Sequence, residues 1–157
     1  MDSILSAKLL AIPGAFLTAG YLTFASQNCL PLLCKQPASV STPLLAGAYY
    51  RGVAVAMPTT LVASAAYAYL AYTFRAQRTI YGVAGAAVLL NLPVTRVIMM
   101  SGINRLIETS KQSSVEQEKA GQSGEVVRLL QVWTAQNAVR AVLAFAGGVA
   151  GLWAVMA

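Results

Sequence analysis

The sequence predicts an all-α, polytopic membrane protein built as a four-transmembrane-helix bundle. Composition is the first observation. The 157 residues are 57% hydrophobic and only 10% charged, and mean hydropathy is +0.63. A soluble domain carries about 25% charged residues, so this chain cannot cover its own surface with charge in water. The second observation is pattern: four long apolar runs, each near the roughly 20 residues that a spanning helix needs. The third is that the segments between them are turn-rich or polar.

The first run is uncharged from Leu9 to Cys34 and ends in Gln27, Asn28 and Pro31. It is longer than the apolar stretch of a secretory leader, and its polar end suits a helix that is kept. The second is uncharged from Gly52 to Phe74. The third is uncharged from Thr79 to Thr95, then meets Arg96 and continues apolar to Ile103. The fourth runs from Leu129 to Ala157 and is interrupted by Arg140. These runs predict helices over about 4–27, 50–74, 79–107 and 126–156 in a single domain covering 1–157. Gly147 and Gly151 form a GxxxG, and Ala11, Ala15 and Ala19 an alanine stripe. Such positions let helices approach closely in lipid.

The connections differ in kind. Residues 28–51 read as a loop rich in Pro and Ser, with Pro31, Pro37 and Pro43. Arg75 to Arg78 reads as a tight turn. The stretch 108–125 is the one strongly polar segment and reads as a solvated loop, partly helical around Ser114–Lys119. Four spans place the N-terminus, the Arg75–Arg78 turn and the C-terminus on one side. The 28–51 and 105–128 segments share the other, here termed the loop face. Six cations (Lys35, Arg51, Arg105, Lys111, Lys119, Arg128) lie on the loop face, against Lys8, Arg75 and Arg78 opposite. That count favours a cytoplasmic loop face, whereas a disulfide between Cys29 and Cys34 would favour the lumen; absolute orientation stays open.

Residue inventory narrows the chemistry. There is no histidine, so histidine-based general base catalysis and histidine-ligated metals are excluded. The five acidic residues are Asp2, Glu108, Glu116, Glu118 and Glu125, and none lies deep in an apolar run. A carboxylate-bridged metal centre needs several, facing inward. The expectation is therefore no metal and no protein-bound cofactor. Cys29 and Cys34 do not have the CxxC spacing of a thiol oxidoreductase. The net charge of +6 sits beside apolar runs, which points to headgroups and membrane orientation and away from nucleic acid.

The embedded arginines carry the functional reading. Thr79–Thr95 and Ala141–Ala157 each span 17 residues, about 26 Å of helix, against roughly 30 Å of hydrocarbon. Arg96 and Arg140 therefore both fall near the loop-face boundary. Trp133, Asn137 and Arg140 are spaced i, i+4, i+7 and share a helical face; Arg96, Met100 and Asn104 are spaced i, i+4, i+8 and share another. Tyr49, Tyr50, Arg51 and Asn28 enter from the same side. For Tyr49, Tyr50 and Arg51 alone an interfacial belt suffices. Charged residues inside spans usually face the bundle, so Arg96 and Arg140 predict a polar, cationic pocket at the membrane surface.

The stretch with Asn91, Pro93, Thr95, Met99, Met100, Asn104 and Leu106, followed by a polar segment and then Trp133, Asn137 and Arg140, resembles the anthrone oxygenase-like family of membrane proteins. The first helix fits as well, with Gly20 and small residues before a polar, proline-containing end. The resemblance implies oxygenation of an anthrone-type polyketide to an anthraquinone, with dioxygen as co-substrate, in a fungal endomembrane such as the endoplasmic reticulum. It implies a lipophilic polycyclic aromatic ligand and the bilayer as partners; self-association is left open. Arg140, Asn137 and Arg96 would stabilise an enolate. Trp133, Asn104, Met100, Thr95, Asn91, Tyr50, Arg51 and Asn28 would line the pocket. Glu108, one turn after Asn104, is the nearest carboxylate and a candidate base, with Tyr49, Tyr50 or water as alternatives. The competing reading is a non-enzymatic scaffold whose polar stripe binds a partner. A transporter ranks last, because it would want a carboxylate at the membrane centre.

Overall fold

The structure, a computed structural model, describes residues 3–157. It is 90% helical, with no strand among the described residues. Five helices follow one another: α1 (Ser3–Leu33), α2 (Ala38–Thr73), α3 (Arg78–Ser110), α4 (Ser114–Gln122) and α5 (Glu125–Met156). All but α4 are long and apolar enough to cross a bilayer, and the chain is an integral membrane protein. The bundle is four-sided. α1 packs on α2 and α5, α3 packs on the same two, and α1 and α3 stand diagonally. The outward surface is apolar, with Leu17, Val142, Phe145 and Trp153 all more than half exposed. This inverts the water-soluble pattern and presents the bundle to lipid.

One end holds the start of α1, the 74–77 turn and the end of α5. Tyr69 donates to the Ser3 hydroxyl at 3.2 Å, and the Lys8 ammonium lies 5.2 Å from the Phe74 ring centroid. Ala7, Leu70, Tyr81 and Ala154 share the core there. Close approach is built from small residues. A Cβ on Gly147 would lie 2.6 Å from Val88 Cγ2 and 2.8 Å from the Ala84 carbonyl, so only glycine fits. The Tyr67 hydroxyl donates to the Gly147 carbonyl at 3.0 Å.

The 28–51 segment is not a loop. Helix runs to Leu33, a turn occupies 34–37, and α2 begins at Ala38. The proline-rich composition misleads because the prolines sit where helices tolerate them. Pro31 lies in the first turn of a helical segment and Pro37 precedes the start of α2, while Pro43 lies inside α2, where it removes one backbone hydrogen bond without ending the helix. At 36 residues, α2 is about 54 Å long, well beyond the roughly 30 Å hydrocarbon layer. The surplus stands outside the membrane with the ends of α3 and α5. Leu30, Ala38, Leu45, Leu106, Val126 and Leu130 pack together there as a helical cap with its own core.

α4 closes the cap. Its start is a capping box: the Ser113 hydroxyl accepts from the Glu116 N–H at 3.4 Å, and Glu116 accepts from the Ser113 N–H at 3.1 Å. The expected helical turn around Ser114–Lys119 is present within it. Buried Gln117 donates to the Ser110 and Gln112 carbonyls at 3.1 and 2.8 Å. Glu118 accepts the Ser39 N–H at 2.9 Å, so a carboxylate on α4 caps the start of α2, where Pro37 offers no side-chain cap. Gly124, at φ 74°, makes the left-handed step into α5. Cys29 and Cys34 are both free thiols.

Candidate functional site

Two turns of π-helix bracket the region beneath the cap: Ala25–Cys29 in α1 and Val94–Met99 in α3. Each neighbours a proline, Pro31 and Pro93. Pro31 follows its π turn, which accommodates the N–H that proline lacks, whereas Pro93 immediately precedes the second π turn. Such bulges are frequent at functional sites. Here they aim Ser26 and Met99 at the same stretch of α5.

Asn137 is the hub. Its amide donates to the Leu22 carbonyl at 3.1 Å and to the Ser26 hydroxyl at 3.3 Å. Ser26 itself donates to the Leu22 carbonyl at 2.9 Å. The other end of the amide accepts from Arg140 Nη1 at 3.0 Å. Nη1 also lies 4.0 Å from the sulfur of buried Met99. No carboxylate pairs with Arg140: among the described residues the one ion pair is Arg105–Glu125. Arg140 Nε is buried without a hydrogen-bond partner, and so is Trp133 Nε1. These two donors stand seven residues apart on one face of α5. Burying a polar group unpaired costs about 1–3 kcal/mol. The Trp133 indole packs edge-on to Tyr49, centroids 6.2 Å apart, and the Tyr49 hydroxyl points at the Met100 sulfur at 3.8 Å. Both rings pack against Met99 and Ile103.

The structure therefore brings together Arg140, Asn137, Trp133 and Met100 from the residues singled out in the sequence, with Tyr49 beside them. Asn91 is fully buried in the bundle, its amide donating to the Val88 carbonyl at 3.0 Å and its Oδ1 unpartnered. Thr95 donates to the Asn91 carbonyl at 2.7 Å. Arg96 does not join the network. It is exposed, as are Asn104, Glu108, Tyr50, Arg51 and Asn28. The Arg96 expectation assumed α-helical spacing through 96–104. The π turn carries more residues per turn and rotates the face, so Met99 meets Arg140 and Arg96 turns outward. Glu108 is likewise not aimed at Arg140; it lies exposed on the cap. Ser26 and the Leu22 carbonyl are participants that sequence reasoning passed over, and Met99, named in the motif, was given no place among the site residues. A lone serine and a backbone carbonyl carry no pattern, and Met99 is hidden by the π register. No three His, Cys, Asp or Glu side chains cluster among the described residues.

Fold and site together define a four-span helical membrane protein with an unpaired guanidinium held beneath an extramembrane cap. The family model described as anthrone oxygenase matches residues 45–150, more than half of the chain, and the chain belongs to that family. No curated protein and no solved structure gives a significant match.

Proposed function

We propose that the protein is an oxygenase that converts an anthrone-type polyketide to an anthraquinone with dioxygen, at Arg140 and without a resident cofactor. The observation that carries this reading is the Arg140 guanidinium. It is fixed by Asn137, lacks a carboxylate partner, and has its Nε donor buried and unused. A cation so placed favours an anion supplied from outside. Arginine offers a planar fork of donors and stays charged. Donors aimed at developing oxyanions in a low-dielectric site are a dominant catalytic term.

The chemistry needs little more. Loss of a proton from the central methylene of an anthrone gives an aromatic enolate, whose oxygen Arg140 stabilises. The enolate passes one electron to dioxygen. The carbon radical and superoxide combine to form a C–O bond, and the peroxide takes up a proton. Loss of the second methylene proton then breaks the O–O bond, releasing water and leaving the new carbonyl. One anthrone and one dioxygen thus give one anthraquinone and one water. The Trp133 N–H, seven residues from Arg140, is a second donor for a substrate oxygen. In this reading the first proton leaves to water or to Tyr49 in its phenolate form, with Glu108 on the cap as the alternative. The setting is a fungal endomembrane, with the substrate arriving from the bilayer.

Purified protein incubated with an anthrone should form anthraquinone aerobically and none anaerobically. Arg140→Lys, which keeps the charge and loses the fork, should insert normally and lose most activity. Arg128→Ala, on the exposed cap, should be unaffected. A fully active Arg140→Lys protein at normal abundance would reduce Arg140 to a headgroup anchor and remove the proposal.

A further inference from the structure

Met99 on α3 is buried, 1% exposed, and its sulfur lies 4.0 Å from Arg140 Nη1. It packs with Ile103 and Ile107 in a cluster on which the Trp133 and Tyr49 rings close. One thioether therefore stands among the side chains that carry both unpaired donors, Arg140 Nε and Trp133 Nε1. Methionine brings a soft, polarizable atom to a place where leucine would supply similar bulk. Among the described residues there are three other methionines. Met57 and Met156 are on the outer surface, 48% and 77% exposed, and the Met100 sulfur takes the Tyr49 hydroxyl at 3.8 Å. Met99 is the one whose sulfur meets the guanidinium.

A thioether has a reaction that leucine lacks: it takes an oxygen atom and becomes a sulfoxide. We infer, on the oxygenase reading, that Met99 is oxidised by the substrate hydroperoxide formed beside it, and that this oxidation shuts the site off. The sulfur lone pair attacks the outer peroxide oxygen. The O–O bond breaks as the S–O bond forms, and the proton on the outer oxygen passes to the alkoxide left on carbon. One thioether and one hydroperoxide give one sulfoxide and one alcohol, in place of the anthraquinone. Sulfur is oxidised and the peroxide is reduced.

The loss of activity follows from what Arg140 lacks. It has no carboxylate partner among the described residues, and a thioether is a weak acceptor. Oxidation turns Met99 into a polar side chain, whose new oxygen is bound to a sulfur already beside Nη1. The sulfoxide then occupies the guanidinium that the enolate needs. Burial sets the selectivity. An oxidant arriving from outside meets Met57 and Met156 first, whereas a peroxide formed inside the bundle meets Met99.

The test uses the protein in phosphatidylcholine nanodiscs, incubated with anthrone under air. Catalase and superoxide dismutase are present to remove oxidants that escape. Anthraquinone is measured by absorbance, and sulfoxide at each methionine by peptide mass spectrometry of the same samples. Met99 sulfoxide should rise with anthraquinone formed, track the loss of activity, and exceed that at Met57 and Met156 about tenfold. It should fall to background without oxygen and in Arg140→Ala. Met99→Leu should complete severalfold more turnovers before its own initial rate halves. Anthraquinone without preferential Met99 oxidation overturns the inference and leaves the oxygenase reading standing. So does inactivation of Met99→Leu at the parent's number of turnovers. No anthraquinone at all removes that reading and the inference with it.

Discussion

In the C-terminal half of α5, Gly147 lies so close to Val88 and Ala84 that no side chain fits, and its carbonyl takes the Tyr67 hydroxyl. Seven residues nearer the cap on the same helix, Arg140 holds one hydrogen bond to Asn137 and leaves another donor buried and unused. The contrast extends to the surroundings. Toward the turn, alanines and glycines press helix to helix around satisfied tyrosine. Beneath the cap, two π turns, a serine, an asparagine and a tryptophan surround a cation. In lipid the helices gain little from hydrophobic burial against one another, so close packing of small residues supplies much of the association. Close packing is concentrated in the first region, and the second leaves the Arg140 Nε and Trp133 Nε1 donors buried without partners.

The comparison breaks most sharply at Arg140. Arg140→Ala should lower anthrone turnover by 10²–10³, about 2.7–4 kcal/mol of transition-state stabilisation, with thermal unfolding in detergent little changed. Gly147→Val should do the reverse. Overpacking costs about 1–3 kcal/mol, so unfolding shifts to lower temperature, while the correctly folded fraction keeps its turnover per molecule. If Gly147→Val left stability intact, or Arg140→Ala unfolded the bundle, the division between the two regions would be wrong. The smallest effect lies in the cap. The Ser39 hydroxyl and backbone N–H hold the Glu118 carboxyl below the usual carboxylate range. A group with a depressed folded-state value contributes stability that is present above its unfolded value and is lost as pH falls through the folded one. The cap should therefore loosen in acid, below about pH 4. Glu118→Gln should flatten that part of a pH series of amide-exchange protection at Ser39.

Four spans and the shared end of the termini and the 74–77 turn were legible because uncharged runs of spanning length have little place in a water-soluble fold. The cap was not. Its helices continue past the membrane in a polar, proline-bearing sequence, and length beyond the bilayer leaves no hydropathy signal. On the site side, Trp133, Asn137 and Arg140 were legible because α5 is α-helical throughout and i, i+4, i+7 spacing holds. Arg96 was misplaced because spacing fails across a π turn, and nothing in Val94–Met99 announces one beyond the neighbouring proline. Ser26 became meaningful only when α1 was laid against α5.

The π turn at Val94–Met99 also bears on how such a protein can diverge. A π turn is an α-helix with one residue inserted. Deleting one residue there would restore regular helix; because the π turn takes up the extra residue locally, Met100–Ser110 would keep its face while the residues within 94–99 would change theirs. The side chain facing Arg140 would change without any substitution. Relatives that differ in length at this point alone would present different surfaces to the same guanidinium, and alignments that slide a gap through 94–99 would pair residues that never occupy the same place.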